Sequence, residues 1–465
     1  MKRKIFDIPS MMVFASLMLL TSCAGLKELN KEYTDVVQPQ IDADTYGNTA
    51  VIQQASKTSS LGDLSWRTLF NDHYLEALVD SALAHNLDME VCRKRIQEAE
   101  ISLDVAKKAF LPSVSLSPNG SITHIDGTTM KFYDVPLNID WQVDIFGSLR
   151  NAKKSQRVLL ERSQDVMQAV QCQLVANISS LYYQLLMLDR SRQILLKTEE
   201  VWKESVETQK ALMQAGMSSR AAVDRLTASY YSIKAQILDN ETQILTIENV
   251  ICRLMGEAPH KIARGVFGNF TPPAEVGIGI PLEVLQNRPD VRSAQKAIEA
   301  AFYNRQVARA DMYPKLTLGG SAGWMNGTLG EINPAEIMLN ALASLTAPLF
   351  AQGKLSGNLK MSEIEMEIAQ KQFVQTVLDA GNDVNTALIE FQAADRKGEY
   401  LKKETESLAQ AYDATCELMN RGRANYLEVL TAQESLLTAQ LAEVVNTYNK
   451  ASGLINLYIA LGGGR

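Results

Sequence analysis

Apolar and polar residues alternate along the chain between Tyr133 and Ile145. A period of two over about a dozen residues predicts a β-strand with one apolar and one polar face. A weaker alternation precedes this strand from Ser113 to Thr123, and the pattern returns between Leu316 and Leu349. We therefore predict two pairs of strands, near residues 113–145 and 315–349.

Each strand pair is followed by a long segment with apolar residues at helical spacing and no internal proline. The first helix is predicted over residues 148–215, about 100 Å at about 1.5 Å per residue, and the second over 354–421. Each reaches a glycine, Gly216 or Gly422, a residue suited to the left-handed position after a helix. Return helices are predicted over residues 218–255 and 425–461, which gives two antiparallel helical hairpins.

The chain also repeats itself. The stretch from Asn86 to Pro112 recurs without a gap as Arg288 to Pro314. A repeat of this length indicates one supersecondary unit built twice, here in the order helix, strand, strand, long helix, return helix. We expect a first repeat over residues 66–256, an equatorial linker over 257–280 and a second repeat over 281–465. The opening helix of the first repeat is expected to run from Leu75 to Phe110, because Pro112 prevents its continuation.

The N-terminus has the composition of a secretory signal. Three basic residues precede a short apolar run, and small residues follow it. The sequence Leu20-Thr21-Ser22-Cys23 resembles a bacterial lipobox, which implies a signal peptide over residues 1–22, lipidation of Cys23 and a lipidated arm over 23–65. The alternative is an ordinary signal peptide with an incidental cysteine.

The charge of the chain and its potentially reactive residues exclude several classes of function. The net charge is −7 at pH 7, and an acidic chain without basic clusters argues against nucleic acid as a partner. The four histidines show no metal-ligand spacing, and no nucleophile and base are paired, so we expect no metal, no cofactor and no enzyme activity. We expect the remaining cysteines to be small buried residues rather than disulfides: Cys92, Cys172, Cys252 and Cys416.

Strands of about ten residues with an apolar and a polar face are typical of an outer-membrane barrel. A soluble antiparallel sheet with one wet face is the alternative. The lipoprotein signal favours the membrane, as does the lack of an apolar run of about 20 residues after it. A sheet in lipid must close, and the smallest membrane barrels use about eight strands. Four strands are too few, so several chains are expected to share one barrel.

Several segments resemble the TolC family of outer-membrane efflux proteins, in particular its lipid-anchored NodT-type branch. The resemblance rests on residues 282–291, on 308–318, and on the similar strand-to-helix turns at 141–150 and 347–355. It implies a mainly α chain with a small membrane β part. It also implies a homotrimer whose twelve-stranded β-barrel continues into a periplasmic α-barrel of twelve helices with an equatorial domain. Such a channel is the exit duct for an RND-type inner-membrane pump and a periplasmic adaptor.

The resemblance implies roles for three groups of residues. The hairpin ends contact the adaptor, a carboxylate closes the pore, and the polar face of the strands lines the barrel lumen. The alternative for the first two groups is ordinary helix capping. The adaptor candidates are Gly216, Met217, Ser218, Ser219, Arg220, Gly422, Arg423, Ala424 and Asn425; the gate candidates are Glu428 and Arg421; the lumen candidates are Asp134, Asn138, Asp140 and Asp144.

The sequence thus favours a passive duct that exports small molecules. Two alternatives within the channel class are secretion of proteins or peptides and efflux of metal ions. A lipid-anchored coiled-coil scaffold in the periplasm is the alternative from another class.

Overall fold

The structure, a computed structural model, describes residues 33–34, 36, 61–267, 287–325, 336–348 and 350–464. Its described part is mainly helical with a small β part, as predicted. The signal peptide, Cys23, nearly all of the arm and linker residues 268–280 lie outside the described residues. The chain divides into two compact units. We call them the sheet unit (Met1–Asp42, Lys94–Asp165 and Arg292–Thr376) and the hairpin unit (Ala43–Arg93, Val166–Val291 and Val377–Arg465).

The helices follow the order expected from the apolar spacing, and those in the two halves have equal lengths. The two 67-residue helices and the two 35-residue helices correspond, as do two 22-residue helices. A short 3₁₀ turn, Leu61–Asp63, precedes them. The helices are α1 (Trp66–Phe70), α2 (His73–His85), α3 (Leu87–Lys108), α4 (Ser148–Gln214), α5 (Arg220–Leu254), α6 (Pro289–Ala310), α7 (Lys354–Asn420) and α8 (Tyr426–Ala460).

The strands form one antiparallel sheet in the sheet unit. The order is β1-β3-β4-β5, and β2 also pairs with β3. The strands are β1 (Ser113–Leu116), β2 (Asn119–Ile125), β3 (Thr128–Val143), β4 (Lys315–Met325) and β5 (Glu336–Thr346). A tight turn joins β2 to β3, with Asp126 and Gly127 at φ of 47° and 81°. Positive φ at both turn residues matches the twist of a two-residue hairpin.

The prediction of one opening helix from Leu75 to Phe110 was wrong in one respect, because the helix is broken at Asn86. That residue has extended backbone angles between α2 and α3. Its side-chain oxygen accepts from the backbone nitrogen of Met89, and its amide donates to the Leu254 carbonyl at 2.8 Å. The apolar periodicity continues through the break, so spacing alone concealed it. An asparagine followed by Asp88 and Glu90 was the available signal for a helix start.

The core of the hairpin unit lies among α2, α4, α5 and α8. Its side chains are mainly apolar and at most 8% exposed, as hydrophobic burial requires. Tyr182 and Tyr458 are its largest members that are less than 2% exposed, and each has a partner for its hydroxyl. Tyr182 donates to Asp72, and Tyr458 donates to the Leu64 carbonyl, both at 2.7 Å. Other members are Leu75, Ile178, Leu185, Ile251 and Leu454.

In the sheet unit, polar contacts join helices α4 and α6. Ser155 donates to the Asn304 side chain at 2.7 Å, and Arg292 pairs with Asp165 at 2.9 Å. One residue of the arm also belongs to this unit: the Tyr33 hydroxyl donates to Glu299 at 2.8 Å. Burial and this carboxylate raise the pKa of Tyr33, so the hydroxyl stays protonated as the donor.

Candidate functional site: the hairpin ends and the sheet faces

The first hairpin end is a closed turn built on one glycine. Gly216 has φ of 73°, which only glycine adopts readily. The backbone nitrogen of Met217 donates to the Leu212 carbonyl at 2.8 Å, and that of Gly216 donates to Met213 at 3.0 Å. These two bonds define a Schellman turn. Ser219 then caps α5 by accepting from the backbone nitrogen of Ala222 at 3.2 Å.

The second hairpin end has the same backbone, 206 residues later. Gly422 has φ of 71°, and the backbone nitrogen of Arg423 donates to Leu418 at 2.9 Å. Asn425 takes the place of the capping serine, and its side chain accepts from the backbone nitrogen of Glu428 at 3.1 Å. The helix-capping interpretation therefore applies to both ends. It leaves outward-facing side chains available for a partner.

The adaptor candidates differ in exposure. Met217 is 76% exposed, whereas Ser218 is partly buried and accepts a short hydrogen bond from Gln209. The Arg220 side chain is 88% exposed and lies 3.6 Å from Asp224. The second end has a similar mixture: Gly422, Arg423 and Asn425 are exposed, and Ala424 is partly buried.

A groove of about 600 Å³ lies between the two hairpin ends. Contributors from the first end include Gln209, Leu212 and Met217, and contributors from the second include Met419 and Tyr426. The hairpins are also joined directly, because Ser229 of α5 donates to Glu434 of α8 at 3.1 Å. Sequence reasoning predicted the turns but did not reveal this groove.

The gate candidates are not paired with each other in the chain. Arg421 binds Glu417, one turn earlier on α7, with 2.9 Å between the charged atoms. Glu428 is exposed in the first turn of α8, where a carboxylate is favoured by the helix dipole. Its backbone nitrogen, rather than its carboxylate, makes the capping bond.

The strand register places apolar residues on one face of the sheet. Leu137 lies opposite Leu116 and Ala322, and Trp141 lies opposite Leu318, which in turn lies opposite Ala343. Because paired residues share a face, the apolar set continues across the sheet, and much of it is exposed. Exposed members are Val114, Leu116, Leu137, Ile139, Trp141, Leu318, Trp324, Ile337, Leu339 and Leu345.

The polar lumen candidates lie on the opposite face, with one exception. Asp134, Asn138 and Asp140 lie on β3, and Asn138 donates to Ser117 at 3.3 Å. Asp144 lies just beyond β3, and its side chain is only 8% exposed. Its carboxylate accepts from the backbone nitrogens of Leu149 and Arg150 at the start of α4. Asp144 is therefore a capping residue, and sequence alternation alone overlooked that bond.

A buried ion cluster in the hairpin unit was not foreseen. Arg264 follows α5 and binds Asp189 of α4 at 2.5 Å and also Glu248 of α5. Hydrogen bonds to these carboxylates outweigh burial and raise the pKa of Arg264. The cluster fixes residues 262–267 to both helices of the first hairpin. Its members are separated by up to 75 residues, so no local motif announces it.

Pro289 and Asp290 have structural roles at the start of α6. α6 begins at Pro289, and Asp290 accepts from the backbone nitrogen of Val291 at 2.9 Å. Arg288 binds Asp290 and Asp383 at 2.7 and 2.9 Å, and also donates to the Ala460 carbonyl. Burial opposes ionisation of Asp290, but Arg288 prevails and lowers its pKa.

Other chemistry is sparse in the described residues. Cys92, Cys172 and Cys252 are buried, Cys416 is half-buried, and none of these four described cysteines forms a disulfide. Within residues that the structure describes, no group of histidine, cysteine and acidic side chains could hold a metal ion. No described helix combines the length and apolar character needed to cross a membrane.

Comparison with known proteins decides the family. The profile described as "Outer membrane efflux protein" matches residues 78–257 and 280–463. This chain belongs to the outer membrane efflux protein family. The resemblance to the TolC family is thereby confirmed. The family is one of channels rather than enzymes, and the protein is an outer-membrane efflux component.

Relatives match nearly end to end. The chain is 24% identical to the cation efflux system protein CusC of Escherichia coli strain K12, over 97% of this chain and 98% of CusC. It is 27% identical to the pyoverdine export outer membrane protein OpmQ of Pseudomonas putida, over 88% and 90%. The open state of the Neisseria gonorrhoeae MtrE outer membrane channel has a TM-score of 0.81 and 24% identity, and the match covers 92% and 98% of the two chains. The fold is therefore that of the outer-membrane efflux channels.

Proposed function

We propose that three copies of this efflux protein close a twelve-stranded barrel in the outer membrane and form a passive exit duct. One observation carries this proposal: most of the exposed apolar residues of β1, β3, β4 and β5 lie on one face of the sheet. Hydrocarbon is the environment in which such a face is stable.

The edges of the sheet support closure by several copies. Strands β1 and β2 lie along one edge of the sheet and β5 lies at the other. Unpaired backbone groups at these edges are strongly unfavourable in lipid. Pairing β5 of one copy with β1 and β2 of the next removes both edges, and three repetitions of that contact close a ring.

Neighbouring residues of β5 provide a matched test of the proposed faces. Leu339 lies on the apolar face and Asn340 on the polar face. Leu339→Arg places a charge in lipid at a cost of about 2–4 kcal/mol near the bilayer centre, so we expect loss of insertion. Asn340→Arg should insert and conduct. The measurement is ion conductance in planar bilayers together with the mass of the detergent-purified assembly.

A soluble, bilayer-silent protein would favour the periplasmic scaffold instead. Equal insertion of the two arginine variants would show that the apolar face does not meet lipid.

We further propose that Cys23 is lipidated after removal of residues 1–22, with 23–65 as the arm. The two tandem repeats are residues 66–256 and 281–465, and equal helix lengths support that division. Residues 257–280 contribute to an equatorial domain around an α-barrel of twelve helices. The polar face with Asp134, Asn138 and Asp140 lines the lumen; we omit Asp144 because the start of α4 engages it.

The hairpin ends are proposed to contact a periplasmic adaptor that links the duct to an RND-type inner-membrane pump. Their exposed turn residues and the groove between them support this role. Photo-crosslinkers at Met217 and Arg423 should capture the adaptor, whereas one at Asp126, in the β2–β3 turn, should not. Equal capture from all three positions would contradict a specific contact.

We propose that the pump selects the substrate and that Glu428 shapes the closed end of the duct. The names of two relatives support the first part, because one exports a cation and the other pyoverdine. Deleting the gene should sensitise cells to some exported small molecule or metal ion. Unchanged tolerance across a broad panel would contradict an export role.

A further inference from the structure

The sheet has one end at which its strands meet helices, and aromatic residues collect there. At this end β3 finishes and β4 begins, since Val143 pairs with Leu316. Phe146 and Tyr313 stack on each other just beyond these two strands, with ring centres 4.9 Å apart and planes at 16°. Both residues are more than 40% exposed in the chain.

Further aromatic residues extend this group. Trp141, near the end of β3, is 42% exposed, and its ring nitrogen donates to the Phe110 carbonyl at 2.9 Å. Phe350, beyond β5, is 87% exposed. Rings with a polar group at one end are favoured where hydrocarbon meets water. We call Phe110, Trp141, Phe146, Tyr313 and Phe350 the aromatic group.

Basic residues lie directly beside the aromatic group, at the start of α4. Over its first ten residues this helix carries Arg150, Lys153, Lys154 and Arg157 and no carboxylate. The start of a helix carries partial positive charge and normally favours acidic residues. Asp144 supplies one carboxylate to this helix start, but four cations exceed it, and an external anion would balance the remaining positive charge.

The positions of these cations agree with an external anion. The ammonium of Lys153 lies 5.8 Å from the Phe110 ring centre, and that of Lys154 lies 5.3 Å from the Tyr303 ring. Arg150 is the member held by a carboxylate, that of Asp144. Lys153, Lys154 and Arg157 are exposed, and within the described part of the chain they have no carboxylate partner. We call these three residues the basic group.

We propose that this end of the sheet binds anionic phospholipid headgroups of the periplasmic leaflet, with the aromatic group at the hydrocarbon boundary and the basic group on the phosphates. The inference rests on the proposed insertion of the apolar face, because continuity with that face brings the basic group to headgroup depth. The positive charges of the basic group match the phosphates of lipids whose headgroups carry a net negative charge.

The native tryptophans give a direct test. Of the four in the chain, Trp66 and Trp202 are buried, and Trp324 is exposed on β4 away from the aromatic group. In a Trp324→Phe background, quenching by brominated lipids therefore reports lipid next to Trp141. The full-length protein is reconstituted into phosphatidylcholine vesicles that contain brominated phosphatidylglycerol or, separately, brominated phosphatidylcholine at the same fraction.

We expect phosphatidylglycerol to bind about fivefold more tightly than phosphatidylcholine, as one basic side chain near a charged surface would give. Replacing the basic group by glutamine (Lys153→Gln, Lys154→Gln, Arg157→Gln) should bring the ratio close to one. The matched control removes three exposed lysines from α7 in the hairpin unit (Lys397→Gln, Lys402→Gln, Lys403→Gln) and should keep the preference.

If both lipids quenched Trp141 equally in the protein with an unsubstituted basic group, the lipid inference would be overturned. The proposed function as an exit duct would be unaffected. An equal loss of preference in the control triple variant would also overturn it, because only net charge would then matter. Quenching by neither lipid would overturn both the inference and the proposed function, since Trp141 would not reach a bilayer.

Discussion

The two hairpin ends share a backbone and differ in their side chains. Gly216 and Gly422 occupy the same left-handed position, and Ser219 and Asn425 make the same capping bond. The residue after each glycine is an exposed methionine in one end and an arginine in the other. Local rules of helix termination therefore fix the shape twice, whereas partner contact and gating depend on what each end displays.

The largest expected effect tests whether the two hairpins are held together in the same way, by one buried asparagine in each. Asn240 of α5 donates to the Leu188 carbonyl of α4 at 3.2 Å, and Asn446 of α8 donates to the Ala394 carbonyl of α7 at 2.8 Å. Both amides are buried. Asn240→Ala and Asn446→Ala should each destabilise the protein by about 1 kcal/mol, because a buried hydrogen bond between the two helices of the hairpin is lost. Chemical unfolding measures the change.

The control for these variants is Asn249→Ala, at an exposed position of α5. It should change the free energy of unfolding by less than about 0.5 kcal/mol. If only one buried asparagine mattered, the two hairpins would not be held in the same way.

The turn glycines give the next largest effect. Nothing lies within 4 Å of a Cβ built at Gly216 or Gly422, so an alanine there suffers backbone strain without a clash. Gly216→Ala and Gly422→Ala should each cost about 1 kcal/mol. Gly357→Ala, in the first turn of α7 with equally open surroundings, should instead stabilise by up to about 1 kcal/mol. Thermal unfolding distinguishes the opposite signs.

The gate proposal sharpens the contrast between the ends. Glu428→Gln removes an exposed carboxylate from the second end and should reduce cation selectivity in planar bilayers by about twofold to fivefold. Asp224→Asn removes an exposed carboxylate near the first end and should leave selectivity unchanged. Reversal potentials in a salt gradient measure both. Equal shifts would mean that the two ends contribute alike to the aperture.

The smallest expected effect is on alkaline stability. Burial, with a hydrogen bond to Cys416, raises the pKa of Tyr412 near the second end to about 12, above its ordinary value of about 10. Protonated Tyr412 therefore stabilises the folded chain fully below pH 10, and this contribution disappears as the pH rises from 10 to 12. Between pH 9 and 12, Tyr412→Phe should lose less thermal stability than the unsubstituted protein.

Residue 206 is a valine at the corresponding place of the first hairpin and does not titrate. An identical alkaline profile for Tyr412→Phe and the unsubstituted protein would assign the loss to other groups.

Features with a local cause could be predicted from the sequence. Proline and glycine marked the ends of α3, α4 and α7, because they act through their own backbone. The break at Asn86 was missed because its signal is a side-chain bond inside an unbroken apolar pattern. The Arg264 cluster and the groove between the hairpin ends depend on residues that are distant in sequence. No period or motif reports such contacts.

The hydrogen bonds of Asn240 and Asn446 across the two hairpins limit how these hairpins can change length. One residue inserted between Leu188 and Asn240 would turn the amide about 100° around its helix, away from its carbonyl. Seven residues inserted in each of α4 and α5, between this pair and the turn, make nearly two full turns in both helices, leave a drift of only about 20° and keep the amide level with its carbonyl. Lengthening is therefore tolerated in steps of seven, and such a step in one hairpin calls for the same step in the other.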